Sequence, residues 1–203
     1  VGCGTGLSFV AMIPRGFEVT GCDISPAMIE RAREKVGEEV ELLVADMREL
    51  PSLGEFDLVW AVNDAINYLL SVEDLEAALS GMRRNLAPGG VLLFDVNTLT
   101  AYRGFWSDEV AFEHGGKSFS WSGRGSASGV EPGAVFEARL AGEGEGVEEH
   151  VHRQRHFGEA EVLAAIGAAG LRCVEVAGEK EGELAPTLDE ARHTKAVYVC
   201  TAA

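Results

Sequence analysis

The sequence predicts an α/β fold, a largely parallel sheet covered by helices on both faces and interrupted by an inserted antiparallel β meander. In the first 100 residues, short apolar runs alternate with segments of helical periodicity. Those runs are apolar throughout, as strands buried on both faces are. From Tyr102 the pattern changes to stretches of period two rich in Gly, Ser and aromatics, the mark of antiparallel strands with one wet face. A chain of 203 residues suits one domain with a sizeable insertion, and 46% hydrophobic residues suffice for a packed core.

The elements follow in order. Val1 to Gly6, VGCGTG, reads as a glycine-rich turn between the end of a strand and the start of a helix. Residues 7–13 predict a short helix stopped at Pro14-Arg15-Gly16, and residues 17–22 a strand closing on Asp23. Ser25 and Pro26 supply an N-cap and a first-turn proline for a helix to about Val36, and residues 39–44 predict a strand closing on Ala45-Asp46. Residues 56–62 predict another strand. Ser71 caps a helix with Leu75, Leu79, Met82 and Leu86 at helical spacing, and Pro88-Gly89-Gly90 breaks it before a strand at 91–96. In the insertion, strands are expected at 117–124, 134–140 and 147–157, separated by turn-like segments at 126–129 and 142–146. A helix at 159–169 and strands at 171–176 and 195–201 complete the chain. The expected division is a body of 1–100 and 158–203 with an inserted subdomain at 101–157. Because the chain starts without Met inside such a turn, it reads as truncated at its N-terminus.

Composition narrows the function. With 17 basic and 33 acidic residues the net charge is −16, which repels a phosphate backbone, so nucleic acid is not an expected partner. No apolar run approaches the roughly 20 residues of a membrane span and no leader pattern opens the chain, so the expectation is a cytoplasmic protein without a membrane partner. The cysteines Cys3, Cys22, Cys173 and Cys200 lack CxxC spacing and read as buried free thiols.

Gly2, Gly4 and Gly6 let a ligand approach the backbone, with Cys3 and Thr5 between them. The spacing is GxGxG, and Leu7 stands where the dinucleotide fingerprint places its third glycine. No lysine follows, which excludes a triphosphate loop. Asp23 could accept hydrogen bonds from both hydroxyls of a ribose, or cap the next helix. Asp46 could bond an adenine ring while Met47 packs on it. Acids closing two consecutive strands after such a turn form a constellation that neither makes alone.

VGCGTG, CDIS at 22–25, ADMREL at 45–50 and LAPGGVLLFDVNT at 86–98 resemble the class I S-adenosylmethionine-dependent methyltransferases. The resemblance implies a doubly wound, Rossmann-like, mostly parallel sheet of seven strands, with the last, at 195–201, antiparallel. It implies S-adenosylmethionine as cofactor. Gly2, Gly4 and Gly6 would lie beside its amino-acid part, Asp23 on its ribose, Asp46 and Met47 at its adenine, and Val62 and Asn63 near its sulfonium. Cys3, Thr5, Ile24 and Ala45 would belong to the same cofactor site. Helices that in this family often cover the cofactor have no counterpart at the start of this sequence.

The run from Asn63 to Leu69, FDVNT at 94–98 and the insertion look like a small-molecule subgroup that includes uncharacterised bacterial methyltransferases and amino-sugar N,N-dimethyltransferases. The implied reaction is methyl transfer to a nitrogen or oxygen atom of a small-molecule acceptor. Tyr68 is the catalytic candidate, because a sugar N-methyltransferase relative carries a polar aromatic residue facing its substrate after the same strand; a tyrosine packed under the next helix is the alternative. Val62-Asn63-Asp64 does not match the Asn/Asp-Pro-Pro-aromatic motif of enzymes acting on nucleobases and glutamine. Asp95 and Asn97 could orient an acceptor or simply form a turn.

In a strand, His150, His152, Gln154 and His156 share one face. Alternate residues lie roughly 7 Å apart and no acid is forced to join them, so no metal is expected, and His152 and Gln154 are assigned to a substrate-facing lid. Trp106, Phe112, Phe119, Trp121 and Phe136 could line an acceptor pocket, pack a satellite sheet or form a homodimer contact. Two other functions stay open, a catalytically silent cofactor-binding domain and, against the glycine spacing, a nicotinamide-dependent oxidoreductase.

Overall fold

The computed structural model describes residues 1–124, 129–142 and 149–203. Strand β1 (Thr20–Asp23) pairs in parallel with β2 (Glu41–Val44), and helix α1 (Pro26–Val36) crosses between them. The Ser25 hydroxyl accepts from the Met28 N–H as that helix's cap, and Ile29 and Ala32 form its buried stripe. Strand β3 (Phe56–Ala61) runs parallel to β4 (Leu86–Asn97), joined by α2 (Val72–Arg83), whose Ser71 cap accepts from the Asp74 N–H. Leu75, Ala78, Leu79 and Met82 of α2 are fully buried in the main core. Beyond β4 lie β11 (Lys195–Ala202), β9 (Leu171–Lys180) and the edge strand β10 (Glu183–Ala185), each antiparallel to its neighbour, giving the order β10-β9-β11-β4-β3. Helix α4 (Glu159–Ala168) contributes Val162, Ala165 and Ile166 to the same core.

Between β4 and α4 come α3 (Leu99–Arg103) and a single 3₁₀ turn at Phe105–Ser107. Four strands follow, β5 (Glu109–His114), β6 (Lys117–Arg124), β7 (Val135–Gly142) and β8 (His150–Arg155), antiparallel and adjacent in chain order. They have their own core of Tyr102, Trp106, Trp121, Val130 and Ala138. The expected turn residues 126–128 and 143–146 lie outside the described residues.

Several expectations change. Residues 7–13 do not form a regular helix: Phe9 bonds back to Gly6, Met12 to Phe9 and Arg15 to Met12, a chain of tight turns ending in a 3₁₀ turn at Ile13–Arg15. Phe9 is the segment's one fully buried side chain, and an isolated helix this short has too little burial to offset its nucleation cost. Pro88-Gly89-Gly90 does not end α2, which stops at Arg83, but lies within β4. A Cβ on Gly90 would stand 2.7 Å from the Phe56 carbonyl, where the β3 register slips. Strand ladders divide the body into a two-stranded and a five-stranded sheet. Val1–Cys3 lies between them, with Val1 N donating to Trp60 O (2.8 Å) and Cys3 N to Cys22 O (2.9 Å). Elements α3, β5 and β10 had no counterpart in the sequence reading. No helix among the described residues is long and apolar enough to cross a membrane.

Candidate functional site

The carboxyl ends of β1, β2, β3 and β4 present the residues singled out from the sequence along one side of the body. Gly2, Gly4 and Gly6 all take positive φ, at 62°, 52° and 82°. A side chain on Gly2 would collide with Ala65 Cβ at 2.8 Å, and Met47 Cε stands 3.5 Å away, so the glycine turn rests directly on the chain that follows β3. Nothing stands within 4 Å of a Cβ on Gly4, which leaves an open ledge. Asp23 accepts from Gly4 N (2.8 Å) and from Ser25 N (2.9 Å), so its carboxylate holds the turn at the edge of that ledge. Ile24 is 62% exposed, unusual for an isoleucine at a strand end. Asp46 caps the next 3₁₀ turn and accepts from the Arg48 guanidinium, which holds its carboxyl below the ordinary range.

The second group of residues surrounds the loop after β3. Asn63 and Asp64 are left-handed, with φ of 61° and 56°, a conformation that non-glycine residues adopt under constraint. The constraint is Asp95, whose carboxylate accepts from Asn63 N (2.7 Å) and Asp64 N (2.6 Å). Lys195, at the start of β11, donates to Asp64 Oδ1 (3.1 Å) and Asp95 Oδ1 (3.3 Å). Burial disfavours the lysine's charge, but the two carboxylates outweigh it and raise its pKa. Gln154 of β8 donates to Asp64 Oδ2 (2.5 Å) and accepts from Asn97 Nδ2 (3.0 Å) and the Tyr102 hydroxyl (3.2 Å). Asn67 accepts from Asn97 N (2.8 Å) and donates to Arg155 O (2.9 Å). One buried polar network therefore couples the inserted sheet to the loop after β3.

That network floors an open cleft of about 460 Å³ whose walls include Asp64, Tyr68, Phe105, Trp121, His152 and Lys195. The Tyr68 hydroxyl lies 2.8 Å from His152 Nδ1. Burial, with the Asp64 charge, pushes the tyrosine up to about 12, and burial lowers the histidine, so the neutral pair shares one hydrogen bond at neutral pH. Phe105 stacks on Trp121 at 4.8 Å, and the Trp121 indole N–H donates to Phe105 O (2.9 Å). This wall exists because Gly123 is a glycine: a Cβ there would lie 1.9 Å from Trp106 O.

The sequence candidates separate accordingly. Tyr68, Asn97 and His152 line the cleft, while Asp95 and Gln154 lie behind it and hold its loop. Trp106 and Trp121 form its wall, whereas Phe136 stacks on Tyr102 (4.2 Å) in the satellite core and Phe112 stacks on Phe119 (5.7 Å) away from the cleft. His150 is exposed; His156 is buried, accepts from Gly133 N (3.2 Å) and is pushed down to about 4 by burial. No cluster of three or more His, Cys, Asp or Glu poised to hold a metal occurs among the described residues. Asp64, Asn67, Phe105 and Lys195 were not among the sequence candidates. A lysine opening an otherwise apolar strand was the available signal for Lys195.

Residues 1–90 match the family described as Methyltransferase domain. YqeM of Bacillus subtilis (strain 168), a protein whose name includes methyltransferase, is 39% identical over 99 residues, 47% of this chain and 40% of its own length. A dTDP-3-amino-3,4,6-trideoxy-alpha-D-glucopyranose N,N-dimethyltransferase of Streptomyces venezuelae is 26% identical over 185 residues, 90% of this chain and 78% of that protein. Among solved structures, an S-adenosylmethionine-dependent methyltransferase from Clostridium acetobutylicum ATCC 824 superposes with a TM-score of 0.82 at 18% identity, over 99% of this chain and 81% of that one. The chain spans 40%, 51% and 47% of the length of the first three curated relatives. For residues 1–90 the kinship suggested by the sequence segments is borne out.

Proposed function

We propose, from the premise that residues 1–90 are a methyltransferase domain, that this chain carries the sites of an enzyme transferring a methyl group from S-adenosylmethionine to a nitrogen or oxygen atom of a small molecule. The observation that carries the reading is the contact of Gly2 with Ala65, which joins the glycine ledge to the loop of the cleft, so that a donor on one faces an acceptor in the other. The ledge fits the donor: Gly4 leaves room where a side chain would intrude, Asp23 borders it, and the exposed Ile24 offers an apolar surface. In this reading Gly2, Cys3, Gly4, Thr5 and Gly6 take the amino-acid part and Asp23 and Ile24 the ribose. Ala45, Asp46 and Met47 take the adenine, and Val62 and Asn63 the region of the sulfonium.

When bound, the donor supplies a methyl group already activated on sulfur, so the chain's own residues mainly align the acceptor. In this reading the Tyr68 hydroxyl, 2.8 Å from His152 Nδ1, donates a hydrogen bond to the neutral imidazole and keeps an oxygen lone pair for the acceptor's N–H or O–H. A proton released on transfer passes to the tyrosine oxygen as the tyrosine's own proton moves to His152 Nδ1. Asp95 holds the loop instead of touching the acceptor, and Asn97 borders the cleft with Gln154 behind it. The body is then 1–100 with 158–203, and 101–157 is a lid carrying the cleft's aromatic wall. The two hydrogen bonds of Val1–Cys3 support its place as the strand that joins β1 to β3, which gives a doubly wound sheet of seven strands from β2 to β9 with the short β10 added at its edge. The amino-sugar relative supports a small acceptor.

Calorimetry with S-adenosylhomocysteine and a methyl-transfer assay over amine and hydroxyl acceptors test this. Binding is expected, and Asp23→Ala is expected to weaken it by about 1–3 kcal/mol, the cost of losing charge-assisted hydrogen bonds and loosening the Gly4 turn. No binding at millimolar ligand overturns the reading; binding without transfer to any acceptor points to a silent domain.

A further inference from the structure

Two carboxylates and one ammonium meet at the point where the glycine ledge reaches the cleft. Lys195 Nζ lies 3.1 Å from Asp64 and 3.3 Å from Asp95. Asp64 and Lys195 are the only Asp, Glu, Lys or Arg among the described residues lining the cleft, and Asp95 stands behind them with 8% of its side chain exposed. With both carboxylates ionised, the set carries one net negative charge. The surrounding walls are Tyr68, Phe105, Trp106 and Trp121, apolar faces beside which a charge is screened less than in water.

The backbone is held in a costly shape to put that charge there. Asn63 and Asp64 are consecutive non-glycine residues at positive φ, and both of their N–H groups are consumed by Asp95. A glycine at 64 would relieve the backbone but would remove the carboxylate from the cleft. Gln154, reaching from the inserted sheet, fixes the other Asp64 oxygen. The carboxylate's position is thus determined from three directions.

We propose that Asp64, Asp95 and Lys195 form a charge-setting triad that makes the site hold the cationic methyl donor in preference to its neutral product. The inference rests on the donor reading above. The donor carries a positive sulfonium. When the carbon–sulfur bond breaks, its electron pair stays on sulfur and leaves an uncharged thioether. A net negative charge beside the reacting atoms attracts the first and gains nothing from the second, so it favours loading of the donor and release of the spent product. Lys195 has a defined part in this: its ammonium, in reach of both carboxylates, offsets one of them and limits the attraction to one net charge. Asp64 and Lys195 are therefore discriminating residues, distinct from Tyr68 and His152, which face the acceptor.

The test needs no acceptor. Affinities for S-adenosylmethionine and S-adenosylhomocysteine are measured by calorimetry at pH 8 for the wild-type protein, Asp64→Asn, Asp64→Glu and Lys195→Gln, each checked for folding by circular dichroism. A tenfold change in the ratio corresponds to about 1.4 kcal/mol, a size within reach of one unit charge at an effective dielectric between that of a protein surface and that of water. The ratio of donor to product affinity is expected to fall about tenfold in Asp64→Asn, to stay near wild type in Asp64→Glu, and to rise severalfold in Lys195→Gln. Opposite signs from the two charge removals are the signature, because a purely structural role weakens both ligands alike. If Asp64→Asn fails to fold, the rise in Lys195→Gln decides alone. A ratio unchanged in every folded variant, with both ligands bound, overturns this inference while leaving the donor reading intact. Wild-type protein that binds neither ligand overturns the donor reading, and this inference with it.

Discussion

Replacing Gln154 by leucine removes the junction between the inserted sheet and the loop that bounds the cleft. Its side chain is fully buried and makes three hydrogen bonds, to the Asp64 carboxylate, the Asn97 amide and the Tyr102 hydroxyl. Leucine fills a similar volume, so the cost is electrostatic and not one of packing. Tyr102 keeps a second acceptor in Arg155 O at 3.3 Å and loses little. The Asn97 amide is left without its acceptor, at about 1–3 kcal/mol, and Asp64 loses a charge-assisted bond worth about 1.5–3 kcal/mol. A sum of about 2.5–6 kcal/mol in a domain of this size lowers Tm by roughly 5–24 °C. Urea unfolding at pH 7 with wild type and Gln154→Leu measures it. A double-mutant cycle with Asp64→Ala should give a coupling energy of at least about 1 kcal/mol. A loss below about 1 kcal/mol, with no coupling, would mean that the network does not hold the loop.

Acid should destabilise the protein in a defined window through His156. Burial depresses its folded pKa from 6.5 to about 4, so between those values the unfolded chain binds the proton and the folded one does not. Stability is therefore complete above pH 6.5 and falls as pH drops toward 4, by up to about 3 kcal/mol. Urea titrations from pH 7.5 to 4 should show His156→Gln losing much less over that range; parallel curves would refute the assignment. Gly123→Ala places a Cβ 1.9 Å from Trp106 O, so the 105–107 turn must lift. A loss of about 2–3 kcal/mol and a weakened near-ultraviolet signal from Trp106 and Trp121 are expected, and an unaltered spectrum would contradict the contact. If the Tyr68 hydroxyl donates to His152, Tyr68→Phe removes a hydrogen bond that favours the neutral imidazole, so the histidine pKa should rise in a proton-NMR titration. A fall would show that the imidazole donates to the tyrosine instead.

The glycine ledge was legible because its parts are local. Gly2, Gly4 and Gly6 lie within five residues, Asp23 and Asp46 close strands whose apolar runs mark their ends, and Ser25 and Ser71 announce the helices that follow. Such features depend on backbone conformation over a few residues, which the side chains there control directly. The cleft was legible only in fragments, because its members are brought together across the whole chain. Lys195 meets Asp64 over 131 residues of separation and Gln154 meets it over 90. Residues 7–13 misled because their apolar content fits a helix, while the packing of Phe9 alone sets their path.

The aromatic insertion shows why composition could not decide among pocket, core and dimer contact. Phe136 and Trp121 lie on neighbouring strands of the same sheet and both pack in the satellite core, yet only Trp121 also reaches the wall of the cleft. What separates them is Gly123, two residues beyond Trp121, which lets the 3₁₀ turn lie flat on β6 and carry Phe105 onto the indole. A glycine inside a strand is weak local evidence, since it marks bulges and loose ends as often as a close approach. Its meaning here is fixed only by the Trp106 carbonyl, which occupies the space its side chain would need. The shape of the cleft therefore depends on an absent side chain, whereas its charge depends on three present ones, Asp64, Asp95 and Lys195. Under the proposed function, two chains with this fold that keep the second and change the first would share a donor while accepting different molecules.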